Sequence, residues 1–260
     1  MNNEIFDAIK TADIRKVEKI LNNCYVKNER DFLDTMLNTR NDQLRTPLHY
    51  AIRQCRIECG RAILRSLPIR EDAKVSRKLK SLKHELRTLE RDYENDDAKR
   101  VKALKRKRKR IRRESLKKKE DFFIALLKAK DKRGRTPLHF AASNMGFPIK
   151  ILLDGSNGAN LQSKLVLNVL TQDDIVQLQA MRREILDIRD SNGRTALHFA
   201  SFNGMASNVR ILIRAGSNPY LTDQHDHTPL ALIFLCLLQN HPAHISILSM
   251  HFSSKIYYWI

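Results

Sequence analysis

A chain of 260 residues, 42% of them hydrophobic, carries enough apolar material for one elongated domain with a continuous core. The formal charge of +19 argues against an acidic surface, and its unevenness points to a local source. The longest apolar run, Pro229 to Leu238, is too short to cross a bilayer and fits a buried helix, so no membrane span is expected.

The chain opens with "MNNEIFDAIKTAD", which lacks the basic-then-apolar pattern of a signal peptide. Ile5 to Leu21 reads as two short amphipathic helices. "QLRTPLHYA" (Gln43 to Ala51) follows, and it has a close counterpart in "KDKRGRTPLHFAAS" (Lys130 to Ser143). In the second copy Gly134 supplies a turn, Thr136 can cap a helix, and Pro137 suits the first helical position because its missing N–H costs nothing there. Leu138, Ala141 and Ala142 then fall at helical spacing, with alanines small enough for close packing.

Between the two copies lies a segment of different character. Residues 68–126 contain Leu79, Leu82, Leu86, Leu89 and Tyr93 at alternating three- and four-residue steps, which is a helical seam of coiled-coil type. "NDDA" (Asn95 to Ala98) can cap a new helix, and Val101, Leu104 and Ile111 continue a sparser seam. One long kinked helix and a two-helix hairpin both fit. Lys99 to Lys119 holds 14 basic residues against the single acid Glu114, a surplus of 13 out of the chain's 19. At its centre is "KRKRKRIRR": Lys105, Arg106, Lys107, Arg108, Lys109, Arg110, Arg112 and Arg113. Such a run fits a nuclear-import signal, a solvated helix face, or a contact to RNA, DNA or an anionic membrane. No aromatic residue lies between Tyr93 and Phe122 to stack a base, which favours import over a dedicated nucleic-acid site; weak nucleic-acid contact at low salt is expected of any such run. Ser115, in "RRES", has the basic residues upstream that a basophilic kinase reads.

Further along, "DDIVQLQAMRREIL" can form a helix with Ile175, Leu178, Met181 and Ile185 on one face, inside a shorter insertion at 156–186. "NGRTALHFAS" (Asn192 to Ser201) and "DHTPLALI" (Asp226 to Ile233) repeat the earlier pattern, and Thr195 and Thr228 are 33 residues apart. With this period and the recurrent TPLHxA pattern the chain resembles the ankyrin-repeat family. The fullest copy runs from Asp190 to Thr222. Leu44 stands where the turn glycine belongs, "NMGFPIKILLDG" gives a shortened second helix, and Ala231 replaces the histidine of the last copy.

The resemblance implies an all-α solenoid of about five repeats with short β-like fingers, the first and last atypical, carrying a long basic helical insertion. The division is 1–67 for the N-terminal repeats, 68–126 for the insertion, and 127–260 for the C-terminal repeats. It further implies a non-enzymatic adaptor or scaffold that holds other proteins through finger tips and inner helices. Carried over by position, the binding residues are Gln43, Arg45, Lys132, Arg133, Arg135, Ser191, Asn192, Arg194, Phe202, Asn203, Gln224 and His225, flanked by Asp42, Arg53, Gln54, Ser143, Asn144 and His227. Arg45, Arg135 and Arg194 recur at one finger position and form an expected basic ladder for an acidic partner segment. An import receptor is a second expected partner, with the protein in the nucleus, the cytoplasm or both. A nucleic-acid or ribonucleoprotein component binding phosphates through 99–119, and a cytoskeletal or ciliary coiled-coil scaffold, are the alternatives. The oligomeric state is not specified.

His49, His139 and His198 recur within the TPLH steps, as a shared structural bond to a neighbouring finger would require. His225 with His227, and His241 with His244, lack cysteines or carboxylates at ligand spacing. No P-loop, dinucleotide glycine motif or nucleophile elbow occurs, so no catalytic residue, cofactor or metal is assigned. Cys24, Cys55, Cys59 and Cys236 form no CxxC pair and suggest buried thiols in a reducing compartment. The apolar ending "ISILSMHFSSKIYYWI" suggests a tail that folds back, a covered surface, or a shortened form of a longer array.

Overall fold

The computed structural model describes residues 4–27, 36–65, 69–91, 97–144, 146–153 and 171–240; the tail from 241, the first part of the segment at 156–186 and the side chain of Cys24 lie outside the described residues. Helices account for most of it, and no strand occurs among the described residues. The shortness of the helices follows from how each is stopped. α1 (Glu4–Lys10) turns into α2 (Ile14–Lys27) at Ala12, α3 (Pro47–Arg53) turns into α4 (Ile57–Arg65) at Cys55, and α10 (Ala196–Phe202) turns into α11 (Ala206–Ala215) at Gly204. All three turn residues have positive φ, at 59°, 55° and 65°, which ends the helix and reverses the chain. α7 (Pro137–Ser143) is followed by α8 (Ile149–Leu153), shortened as its proline-containing sequence suggests.

These pairs pack side by side in chain order. α1 lies on α3, α3 on α7, α7 on α10, and α10 on α12 (Pro229–Asn240), while α2 lies on α4 and α8 on α11. Ala8, Ala51, Ala141, Ala142 and Ala200 are fully buried along the first row, and their small side chains let short helices approach closely. Ile5, Ile9, Leu48, Ile52, Leu138, Leu197 and Leu212 fill the space between the rows in one core.

Two further helices leave this stack and return to it. α5 (Ile69–Arg91) and α6 (Asp97–Lys128) pack against each other, a hairpin rather than one long helix. Leu82 and Leu86 are buried on Val101 and Leu104, with Leu89 and Ile111 beside them, in a small core of their own. Lys105 Nζ reaches Glu90 at 3.0 Å across the pair. The leucine seam is thus covered from within the chain. α6 continues for 32 residues, about 48 Å, and its far end puts Phe122, Phe123, Ile124, Leu126 and Leu127 into the main core. α9 (Gln172–Leu186) lies on α6 and α11, with Ile185 and Leu186 buried.

Two expectations are corrected. The fingers are turns, not β-strands, because neighbouring turns share one backbone hydrogen bond each among the described residues, too few for a ladder: Lys132 N–H to Gln43 O, Ser191 N–H to Arg133 O, and Gln224 N–H to Asn192 O, at 3.0, 2.9 and 3.0 Å. The cysteines are not uniformly buried: Cys59 is buried and Cys236 intermediate, but Cys55 is exposed at its turn. No helix among the described residues is long and apolar enough to cross a membrane.

The turns share one strained position. Gly134 and Gly193 take φ of 71° and 74°, and a Cβ there would sit 3.0 Å from Ser191 N and 3.1 Å from Gln224 N. Leu44 adopts φ 54° at the same place, half exposed. A side chain in that region costs roughly 1–2 kcal/mol, partly offset because glycine loosens the unfolded chain. Leu44→Gly is therefore expected to stabilise the protein by about 1 kcal/mol, a rise of about 2–4 °C in Tm by calorimetry, whereas Gly193→Ala lowers it.

Candidate functional site

Four turns, at residues 41–45, 131–135, 190–194 and 223–227, are built in one way. The first residue is Asn41, Asp131, Asp190 or Asp223, and one side-chain oxygen accepts two backbone N–H bonds, from the residues two and four positions on, at 2.9–3.1 Å. The first residue's own N–H bonds back to the carbonyl of the fifth. Each turn is thereby closed by a single carboxylate or amide.

The helix that follows opens on a capping box in which histidine takes the place usually held by glutamate or glutamine. His49 Nδ1 lies 2.8 Å from Thr46 Oγ1 and accepts the Thr46 N–H at 3.3 Å; His139 with Thr136 and His198 with Thr195 repeat this at 2.8 and 3.1 Å. With Nδ1 accepting, Nε2 carries the proton and donates to the next turn: His49 to Arg135 O at 3.0 Å, His139 to Arg194 O at 2.9 Å, His198 to His227 O at 3.1 Å. Ala231 ends this relay, and only the Thr228 cap remains, accepting Ala231 N–H at 3.2 Å. Burial disfavours the charged ring, holding His49 and His139 down at about 4 and lowering His198 as well.

The three finger arginines turn inward, unlike the outward ladder expected from the sequence. Arg135 bonds Asp131 Oδ2 at 2.8 Å and its guanidinium lies 4.6 Å from the Phe140 ring centre; Arg194 meets Asp190 at 3.1 Å and Phe199 at 4.7 Å. Arg45, only 7% exposed, reaches across to Asp131 at 3.6 Å and lies 5.4 Å from the same Phe140 ring centre. Burial opposes ionisation of Asp131, but its bonds from Arg135 outweigh it and keep the carboxyl below its ordinary range. Burial, with Arg53 and Arg135 nearby, pulls Arg45 below its usual value.

The outer ends of the turns remain open to solvent. Asp42, Gln43, Lys132, Arg133, Ser191, Asn192, Gln224 and His225 are exposed, in the order in which their backbones are joined. At the ends of the inner helices Arg53, Gln54 and Asn203 are exposed, and Phe202 presents 54% of its surface. Ser143 and Asn144 are half-buried, with Asn144 Nδ2 donating to Ile52 O across the row at 3.3 Å.

The basic run occupies successive turns of α6. Arg106, Lys107, Lys109 and Arg112 are exposed and make no ion pair among the described residues; Lys105 meets Glu90, Arg110 meets Glu114 at 2.8 Å, and Arg108 is half-buried. Arg113 is held elsewhere. Its Nη2 bonds Asp174 Oδ1 at 2.9 Å, and Lys117 Nζ meets the same oxygen at 2.5 Å, while Asp174 also takes the Thr171 N–H and hydroxyl at the start of α9. These bonds, Arg113's first, keep the buried Asp174 carboxyl well below the carboxylate range. Ser115 is half-buried.

Among the described residues no cluster of three His, Cys, Asp or Glu side chains is placed to hold a metal; the His225 and His227 rings lie 6.1 Å apart, and His241 and His244 fall outside the described residues. The turn-closing Asn41, Asp131, Asp190 and Asp223, the Phe140 and Phe199 platforms and the Asp174 clamp were not assigned a role from sequence. The acidic or amide residue recurs in the lead-ins "LNTRN", "LKAKD" and "LDIRD", so its spacing carried the signal.

A family model described as Ankyrin repeat matches residues 192–224, which hold the last three residues of the third turn, α10 and α11. No curated protein matches the chain.

The histidine relay sets a pH dependence. An unfolded histidine takes up its proton near pH 6.5, while the folded rings resist it until about 4, so their stabilisation is complete above pH 6.5 and is lost as the pH falls toward 4. Denaturant titrations are expected to lose on the order of 3 kcal/mol for each of these two rings across that window. His49→Gln with His139→Gln keeps the capping bond but cannot be protonated; it should be less stable at pH 7.5 and flatter with pH.

Proposed function

The chain is an ankyrin-repeat protein, and on that premise we propose that it binds another protein across the exposed row of turns and the adjoining ends of the inner helices. Ankyrin repeats typically act as non-enzymatic interaction modules, and the relay that joins the turns in order supports extending the repeat over residues 1–67 and 127–260 as one solenoid of about five units. Residues 68–126 are then an insertion carried by that scaffold, with a shorter one at 156–186. The observation that carries the reading is the set of open polar tips, from Gln43 to His225, ordered by bonds between their backbones, together with exposed Phe202 at the end of an inner helix. An aromatic side chain so exposed, at the end of an inner helix and next to exposed Asn203, has the character of an interface anchor. Lys132 and Arg133 supply the cationic part of the surface, which favours a partner segment with acidic groups.

Nuclear import through Lys105 to Arg113 is the second part of the proposal, supported by the exposure of Arg106, Lys107, Lys109 and Arg112. Self-pairing as a coiled-coil scaffold is disfavoured, because Leu82 and Leu86 are already covered by α6.

Changing Phe202 to Ser and Arg133 to Glu removes one anchor and reverses one charge without touching the buried relay. The full chain so altered should keep its melting temperature and lose at least tenfold in captured partner. A capture profile identical to wild type sinks the binding-face reading. Lys99 to Lys119 fused to a cytoplasmic reporter should move it into the nucleus, and unchanged distribution removes the import reading.

A further inference from the structure

α6 has two faces. Val101, Leu104, Arg108, Ile111 and Ser115 follow one side, which is buried or half-buried. Lys99, Lys102, Arg106, Lys109, Arg113 and Lys117 recur at steps of three and four residues, and so fall on one stripe of the opposite side. The first four are exposed, and none has an ion-pair partner among the described residues. The last two are not free, because Asp174 of α9 sits between them. The stripe therefore already holds one anion: a carboxylate gripped by cations one helical turn apart, with Arg113 and Lys117 each bonded to it. Lys102 with Arg106 repeats that one-turn spacing where nothing occupies it, and Lys109 adds a charge one turn further on.

From this geometry we propose that the exposed stretch of the stripe binds the phosphates of a double-stranded nucleic acid. The stripe from Lys99 to Lys109 rises about 15 Å along a straight helix. Duplex phosphates line a surface at comparable separations and carry a charge every 1.7 Å or so of axis, enough to engage all four cations together. Other polyanions fit less well. The exposed side of α6 between Lys99 and Lys109 has no aromatic residue on which single-stranded bases could stack. It also offers no large apolar side chain to enter a lipid surface, Ala103 being its apolar residue. Contact is to the backbone alone and is independent of base sequence. The proposal stands apart from the protein-binding face, which uses other residues.

The test uses the full chain and fluorescently labelled 24-base-pair duplexes of mixed sequence, one RNA and one DNA, followed by anisotropy from 50 to 200 mM salt. Four phosphate contacts predict a log–log salt slope of about −3.6, so affinity falls about 150-fold over that range. Lys102→Gln, Arg106→Gln and Lys109→Gln together lie on the exposed face, leave helicity intact, and should reduce the slope to about −1. Asp174→Asn releases Arg113 and Lys117 and should steepen it toward −6, a gain that mere loss of structure would not give. The proposal is overturned if the triple variant binds like wild type, or if polyglutamate or anionic vesicles at equal charge displace the duplex. A single strand of equal length that binds as tightly as the duplex also rejects it.

Discussion

A neutral imidazole with one nitrogen fixed as acceptor and the other as donor is the joint on which this architecture turns. Threonine ahead of each short helix offers its N–H and hydroxyl to Nδ1, and that leaves the Nε2 proton pointing at the carbonyl of the next turn. A single side chain thus starts one helix and tethers the unit that follows. Helices of seven residues are too short to persist by themselves in water, so their order comes from this cap and from burial in the row. A charged ring would place a proton against the threonine N–H, which is why the same joint that orders the stack also sensitises it to acid.

Around each joint the cationic residues serve two ends. Arg135 and Arg194 satisfy the carboxylate that closes their own turns and lie against the aromatic ring of the helix that follows, while Arg45 crosses to the neighbouring turn. Charge that looks available in the sequence is therefore largely committed inside the fold. On α6 the balance is reversed. Some of its cations meet Glu90, Glu114 or Asp174, whereas Lys99, Lys102, Arg106, Lys107, Lys109 and Arg112 stand in solvent along the part of the helix that precedes its contacts with α9 and the main core.

The repeat was legible from the chain because its residues have local duties: Thr136 caps, Pro137 fits the first turn, Gly193 provides positive φ, and the 33-residue spacing brings equivalents together. The direction in which the arginines point was not legible, since it depends on Phe140, which sits in the following helix, and on Asp131, 86 positions beyond Arg45. The leucine seam told of a helix but not of its partner. Leu82 and Leu86 could have met another chain, and only the return of Val101 and Leu104 decides that they do not. The link between Arg113 and Asp174 spans 61 residues and has no periodic signature, so no local pattern could have revealed it.

The unbroken course of α6 has a mechanical consequence. One end of this helix is anchored by Phe122 to Leu127 among the stacked units, and the other carries the hairpin core, with no described break between them. An object grasped at the outer end is held at a set distance and heading from one lodged against the finger tips. Two bound molecules would then share a common frame, and each would meet the other at a local concentration dictated by the length of a strut rather than by diffusion through the surrounding medium.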